Sequence, residues 1–262
     1  MENFNDILAA LDNANKKLEK TIYIPSLDTE IPVRPLNAQH TKKLIKTTVE
    51  GPFASNQFNI IVYGILRDIL DVDLKTVSVY DKPIILLQLR AQNISPDISV
   101  EFTELKISKK INIDKHLKKF KKGLKQEPVT IDKDGITGTI NYTSIEDEYL
   151  FDNFLYQTQM SKIDQRDVNQ MKSLVAPIFM NSLVMFLTSL TIGEANIDLT
   201  TLSVDERLKL ADKLPSSFLS EAIAKIDGNF GKNLQKVLSV STTHEGTTYE
   251  SEIELDAGFF LQ

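Results

Sequence analysis

Apolar residues recur every three or four positions over most of this chain, and every second position in four short stretches. Phe4, Ile7, Leu8, Leu11, Ala14 and Leu18 share one face at helical spacing, which predicts an amphipathic N-terminal helix. In TIYIPSLDTEIPVRPL the period drops to two. Ile22 and Ile24, with Leu27, face one way, and Ile31 and Val33 repeat the alternation on the return, which predicts a hairpin turning at Asp28-Thr29. Pro25 and Pro32 confine it to an edge or a two-stranded ribbon, because proline cannot donate to a central ladder. Pro35 biases Arg34 away from helix, and Asn37 then caps a helix through Lys46, with His40 at its third position.

After a break at Gly51-Pro52, Phe58, Ile61, Val62, Ile65, Leu66 and Ile69 predict a core helix. Asp81 or Lys82 opens another, with Pro83 in its first turn; Arg90 reads as a solvated residue at its end, the alternative being a buried arginine that wants a carboxylate partner. Ile98, Val100 and Phe102 alternate as a strand or hairpin. The stretch PVTIDKDGITGTINYTSI predicts a second hairpin about Asp134-Gly135. Ser144 followed by Glu146, Asp147 and Glu148 marks a helix start, with the acids placed to suit the helix dipole. Ser203 and Glu206 form a capping box, Pro215 starts a further helix, and Gly228 and Gly231 loosen the segment after it. The end folds as a hairpin about Glu245-Gly246 and closes on Phe259, Phe260 and Leu261. The expected architecture is α+β, predominantly helical with short antiparallel hairpins near the N-terminus, in the middle and at the C-terminus. Its parts are a helix at 1–20, a hairpin-helix region with a lysine-rich β insertion at 21–143, and a helical region with a terminal hairpin at 144–262.

Two local compositions complicate this picture. From Leu105 to Lys125 the chain carries nine lysines against one acid, Asp114. The plain reading is a solvated helix face with Ile113, Leu117, Phe120 and Leu124 turned inward; an acidic partner or nucleic acid are the alternatives. With no arginine and one aromatic there, base stacking lacks support. From Ser173 to Gly193 lie 21 residues without a charge, long enough to span a bilayer. Pro177, Asn181 and the hydroxyl residues favour instead a buried helix begun or kinked near Pro177.

The 262 residues carry a net charge of -6 and no cysteine, which excludes disulfides, thiolate zinc sites and thiol nucleophiles. His40, His116 and His244 lie far apart in sequence, and no phosphate loop, GxSxG or HExxH motif occurs. Neither a catalytic residue nor a cofactor, metal site or small-molecule substrate is expected. The acidic N-terminus reads as helix rather than secretory signal. That helix either packs on its own domain or docks in a partner's groove. The closing aromatic pair is likewise either core or contact.

The stretch TIYIPSLDTEIPVRPLNAQHTKKLIKTT resembles the opening of the baseplate hub assembly proteins of T-even-type contractile-tailed phages. In that family an apolar-Pro-Ser-Leu strand returns through an R/K-P-L element into a helix rich in Lys and Leu. IILLQLRAQNISPDISVEF and ELDAGFF resemble its next shared segment and its acidic-aromatic terminus. The resemblance implies a non-catalytic hub subunit or assembly chaperone. It would act in the host cytoplasm by contact with other hub or tape-measure proteins, and in the tail baseplate where it is retained. A homo-oligomer is compatible with this. The partner contacts expected from the residues are Phe4, Ile7, Leu8, Leu11, Ile22, Ile24, Phe259 and Phe260, and edge strands offer a further route to a partner's strand. The competing readings are a membrane-associated protein using the 173–193 run, and a nucleic-acid adaptor using the 105–125 lysines.

Overall fold

The computed structural model describes residues 3–16, 18–47, 54–120, 127–164, 166–256 and 258–260. The Gly51-Pro52 break, Leu124 and Leu261 lie outside them. Helices are joined by several small antiparallel sheets, an α+β fold. Helix α1 (Phe4–Lys16) leads into the ribbon of β1 (Lys20–Ile24) and β2 (Thr29–Val33), followed by α2 (Ala38–Thr47), α3 (Ala54–Ile69) and α4 (Asp81–Asn93). A second ribbon, β3 (Asp97–Phe102) and β4 (Ile107–Asn112), runs into the short α5 (Ile113–Leu117) and a 3-10 turn, Lys118–Phe120. Then β5 (Val129–Lys133) and β6 (Ile136–Ile140) precede α6 (Ile145–Thr158), α7 (Val168–Ser173), α8 (Val175–Phe186), β7 (Leu187–Ile192) and β8 (Ala195–Asp198). Strands β5 to β8 form a four-stranded antiparallel sheet in sequence order. The chain ends with α9 (Val204–Ala211), α10 (Ser216–Lys225), a π-helical turn (Ile226–Gly231), α11 (Lys232–Leu238) and the ribbon of β9 (Ser239–His244) and β10 (Thr247–Glu252).

Two large clusters of buried side chains hold these elements. The first gathers Ile22, Ile24, Leu66, Ile85 and Phe102 with Val240, Ile253, Phe259 and Phe260, so the C-terminal ribbon packs against the N-terminal half. The second gathers Ile131, Ile140, Phe151, Leu187, Leu190 and Phe218. The 129–140 hairpin therefore shares a core with the C-terminal helices. The halves meet where Val79 N–H donates to Thr143 O and Ile145 N–H to Val77 O, each at 2.9 Å.

The local signals explain the joints. Asp134 and Gly135 both have positive φ, as do Glu245 and Gly246, which matches strand twist in two-residue hairpins. The Asn37 side chain accepts from Gln39 N–H and His40 N–H at 3.0 and 3.1 Å. The Asn37 N–H donates back to His40 Nδ1 at 3.2 Å, so a histidine fills the role an acid plays in a capping box. Burial lowers the His40 pKa below the usual histidine value. Ser203 and Glu206 make the expected reciprocal box, and Ser144 Oγ accepts from Asp147 N–H.

Two expectations need correcting. The uncharged 173–193 run is not one helix: α8 ends at Phe186 and the chain continues as β7. The β-branched Thr188, Thr191 and Ile192 suit that strand, which pairs with β6 from Ile192↔Ile136 to Leu187↔Ile140. Nor is α8 buried all round, because Val175, Ile178 and Phe179 are exposed. No described helix is long and apolar enough to cross a membrane. Arg90 is not a solvated helix end. It is buried, donates to Ser95 O at 3.1 Å, and its guanidinium stands 5.2 Å from the Phe259 ring centre. At Gly228 and Gly231 the chain passes from α10 to α11 through the wider π turn.

Candidate interaction surfaces

Ile22 and Ile24 are 1% and 0% exposed, so as folded they offer a partner nothing; the alternation that singled them out is that of a ribbon packed on a core. The outer edge of β1 is closed as well. Gln88 on α4 accepts from Tyr23 N–H at 2.9 Å and donates to Tyr23 O at 2.8 Å, and Gln92 donates to Thr21 O at 2.7 Å. Side-chain amides one helical turn apart thus stand where another strand would bind. Pro32 faces Thr21, whose carbonyl points away from β2, so its missing N–H is not needed in the ladder. The RPL corner is pinned by Arg34 N–H to Ile69 O at 2.9 Å and Leu36 N–H to Asn93 Oδ1 at 3.0 Å. Phe259 and Phe260 are each 8% exposed and meet edge to face at 5.1 Å, inside the first core. These four of the eight candidate contacts are interior.

The other four lie on α1. Phe4, Ile7, Leu8 and Leu11 are 70%, 44%, 44% and 55% exposed, so among the described residues the apolar stripe of this helix is left largely open. A second stripe appears on α8, where Val175, Ile178 and Phe179 are 66%, 38% and 46% exposed, with Val168 of α7 nearby in sequence. Its signal in the sequence is the absence of charge, which by itself suggests depth. An uncharged helix face left in water is the commoner mark of an interaction site than of monomer surface.

The described part of the lysine segment is only partly helical, with Ile113 and Leu117 buried and Phe120 half-buried. It lines a groove of about 670 Å³ in which Lys110, Lys115 and Lys119 are joined by Lys236 of α11, against one acid, Glu250. Lys236 is distant in sequence, so composition could not bring it to the others. His116 sits at this groove with Nε2 2.7 Å from Val237 O, and burial lowers its pKa.

Ionisable groups in the interior are held by one another, by asparagine side chains or by the backbone. Lys82 of α4 reaches Glu148 of α6 at 2.6 Å and Asn59 of α3 at 3.2 Å. Asn59 and Asn56 donate to the Asp152 carboxylate, each at 3.0 Å. Burial, then the Glu148 charge, pushes the Asp152 pKa up to about 6. Asp81 is 0% exposed, accepts from Ser26 N–H at 3.1 Å, and is pushed by burial to about 6. Among the described residues no three His, Asp or Glu side chains gather to hold a metal ion. Comparisons with protein families, curated proteins and solved structures find no match for the chain.

Proposed function

We propose that this chain is a non-catalytic subunit or assembly chaperone of a phage tail baseplate hub, working by protein contact during virion morphogenesis. The observation that supports contact is the exposed stripe of Phe4, Ile7, Leu8 and Leu11 on α1. An amphipathic helix held outside its own cores is suited to binding in a partner's apolar groove. The hub assignment itself rests on the sequence resemblance, whose RPL element serves here as the corner joining the first ribbon to α3 and α4. The partners are other hub or tape-measure proteins. The test is co-expression with each tail protein encoded beside this gene, followed by size-exclusion chromatography. A complex that Leu8→Asp with Leu11→Asp abolishes supports the reading; normal baseplates in a phage lacking this gene would sink it.

A second reading is favoured by the groove of Lys110, Lys115, Lys119 and Lys236, which suits a polyanion. Single-stranded and duplex oligonucleotides titrated at low salt decide it, and no detectable binding eliminates a nucleic-acid adaptor.

A further inference from the structure

The lysine groove is bordered by two ribbons, and each brings it a strand edge. The ribbons β3–β4 and β9–β10 are separate two-stranded sheets, so β4 and β9 each have one side without a strand partner. Ile113 N–H donates to Pro96 O at 2.7 Å, which makes Ile111 with Ile98 and Lys109 with Val100 the bonded pairs of the first ribbon. The backbone N–H and C=O of Lys110 therefore turn away from β3. Ile253 N–H donates to Leu238 O at 2.9 Å and sets the second ribbon in the same way, so the backbone groups of Ser241 turn away from β10. Among the described residues these groups of Lys110 and Ser241 meet no partner, and both residues line the groove. We propose that the groove takes an extended acidic segment of a partner protein, added as a strand along the free edges that border it, with its carboxylates among the lysines.

Three observations favour that occupant. The first is charge. Lys110, Lys115, Lys119 and Lys236 are exposed, and among the described residues none of them forms an ion pair. In a chain of net charge -6 they make a local basic site that an anionic segment complements. The second separates polypeptide from nucleic acid. No arginine lines the groove, and its two rings, His116 and Phe120, are half-buried, with Lys119 Nζ 5.1 Å from the Phe120 ring centre. That is a poor platform for bases, whereas free strand edges are read by a polypeptide backbone. The third is rigidity. His116 Nε2 lies 2.7 Å from Val237 O, tying α5 to the end of α11, and Lys109 Nζ donates to Thr242 Oγ1, tying β4 to β9. A groove held on both sides spends little of the binding energy on ordering itself.

The experiment titrates the full chain at low salt into a fluorescent peptide of about eight residues in which glutamate and valine alternate, read by anisotropy. Saturable binding that weakens with salt is expected. Lys110→Glu with Lys236→Glu should raise the dissociation constant by about 10-fold or more. Lys75→Glu with Lys133→Glu changes the net charge equally at exposed positions outside the groove and should bind as the wild type does. All four side chains are exposed, and unchanged circular dichroism verifies folding. Two further peptides, N-methylated at every glutamate or at every valine, keep the charge but block opposite edges of the added strand. One should bind about 10-fold more weakly than the other. A single-stranded oligonucleotide of matched charge is the competitor. No saturable binding, an equal loss in the control variant, or equal affinity of the two methylated peptides would overturn the proposal. An oligonucleotide that binds more tightly than the peptide would overturn it in favour of nucleic acid. No tail protein enters the titration, so its failure leaves the hub reading standing.

Discussion

The Arg207 guanidinium stands 4.6 Å from the centre of the Phe151 ring and donates to the carbonyls of Val184 and Leu187 at 3.3 and 3.4 Å. A buried cation on α9 thus satisfies the last turn of α8, where the uncharged run changes from helix to strand. Burial lowers the Arg207 pKa, so the charge is held there at a cost that the ring face and the carbonyls offset.

Arg207→Ala should therefore destabilise the fold by about 3 kcal/mol, through lost charge-assisted hydrogen bonds and an unfilled site over Phe151. Arg207→Lys should recover only part of this, because an ammonium cannot stack on the ring and fork to two carbonyls together. Urea denaturation measures both, and equal stability of the lysine variant and the wild type would remove the guanidinium from the account.

Gly138 tests the packing of α10 on the four-stranded sheet. A Cβ at this residue of β6 would lie 2.6 Å from Phe218 Cζ and 3.3 Å from Leu187 Cδ1, and Phe218 is fully buried. Gly138→Ala must push the ring off its seat and should cost about 1–3 kcal/mol. Adding Phe218→Leu should return part of that loss, since the two changes share one site. Additive losses in the double variant would show that the close approach is not the cause.

Lys82 is the cation facing Glu148, one turn from Asp152 on α6. Lys82→Met removes it and leaves two carboxylates i, i+4 apart with little water. A loss of about 3–5 kcal/mol is expected at pH 7.5. It should shrink at pH 5, where Asp152, raised by burial to about 6, holds its proton more tightly than in the unfolded chain. A loss independent of pH would mean that Lys82 acts through its packing alone.

These positions show what periodicity can reveal. The ribbons, the Asp134-Gly135 and Glu245-Gly246 turns and the Ser203 box were legible because each is decided within a few residues. The end of α8 was not, because Arg207, twenty residues downstream of Leu187, stabilises it. Ile22 and Phe4 look alike as apolar members of amphipathic elements, and only the tertiary packing makes one core and the other surface. For the same reason the α8 stripe reads as interior in the sequence: lack of charge marks a face kept from water without saying whose surface covers it.

Asp81 gives the fold a defined pH dependence. Its carboxylate is fully buried, Oδ1 accepts from Ser26 N–H at 3.1 Å, and Oδ2 has no hydrogen-bond partner among the described residues. Burial raises its pKa from 3.8 to about 6, so the folded chain holds this proton more tightly than the unfolded chain does. The group's contribution is complete below pH 3.8 and is lost as the pH rises through 6. Asp152, raised to about 6 as well, adds a second loss of the same sign in the same window. Asp81→Asn keeps an oxygen for Ser26 and removes the buried charge. It should be about 1–2 kcal/mol more stable than the wild type at pH 7.5 and no more stable at pH 4.5. The slope of stability against pH between 4 and 6 should fall by about half, Asp152 supplying what remains. Urea midpoints at four pH values measure this, and parallel profiles for the two proteins would place the buried charge elsewhere.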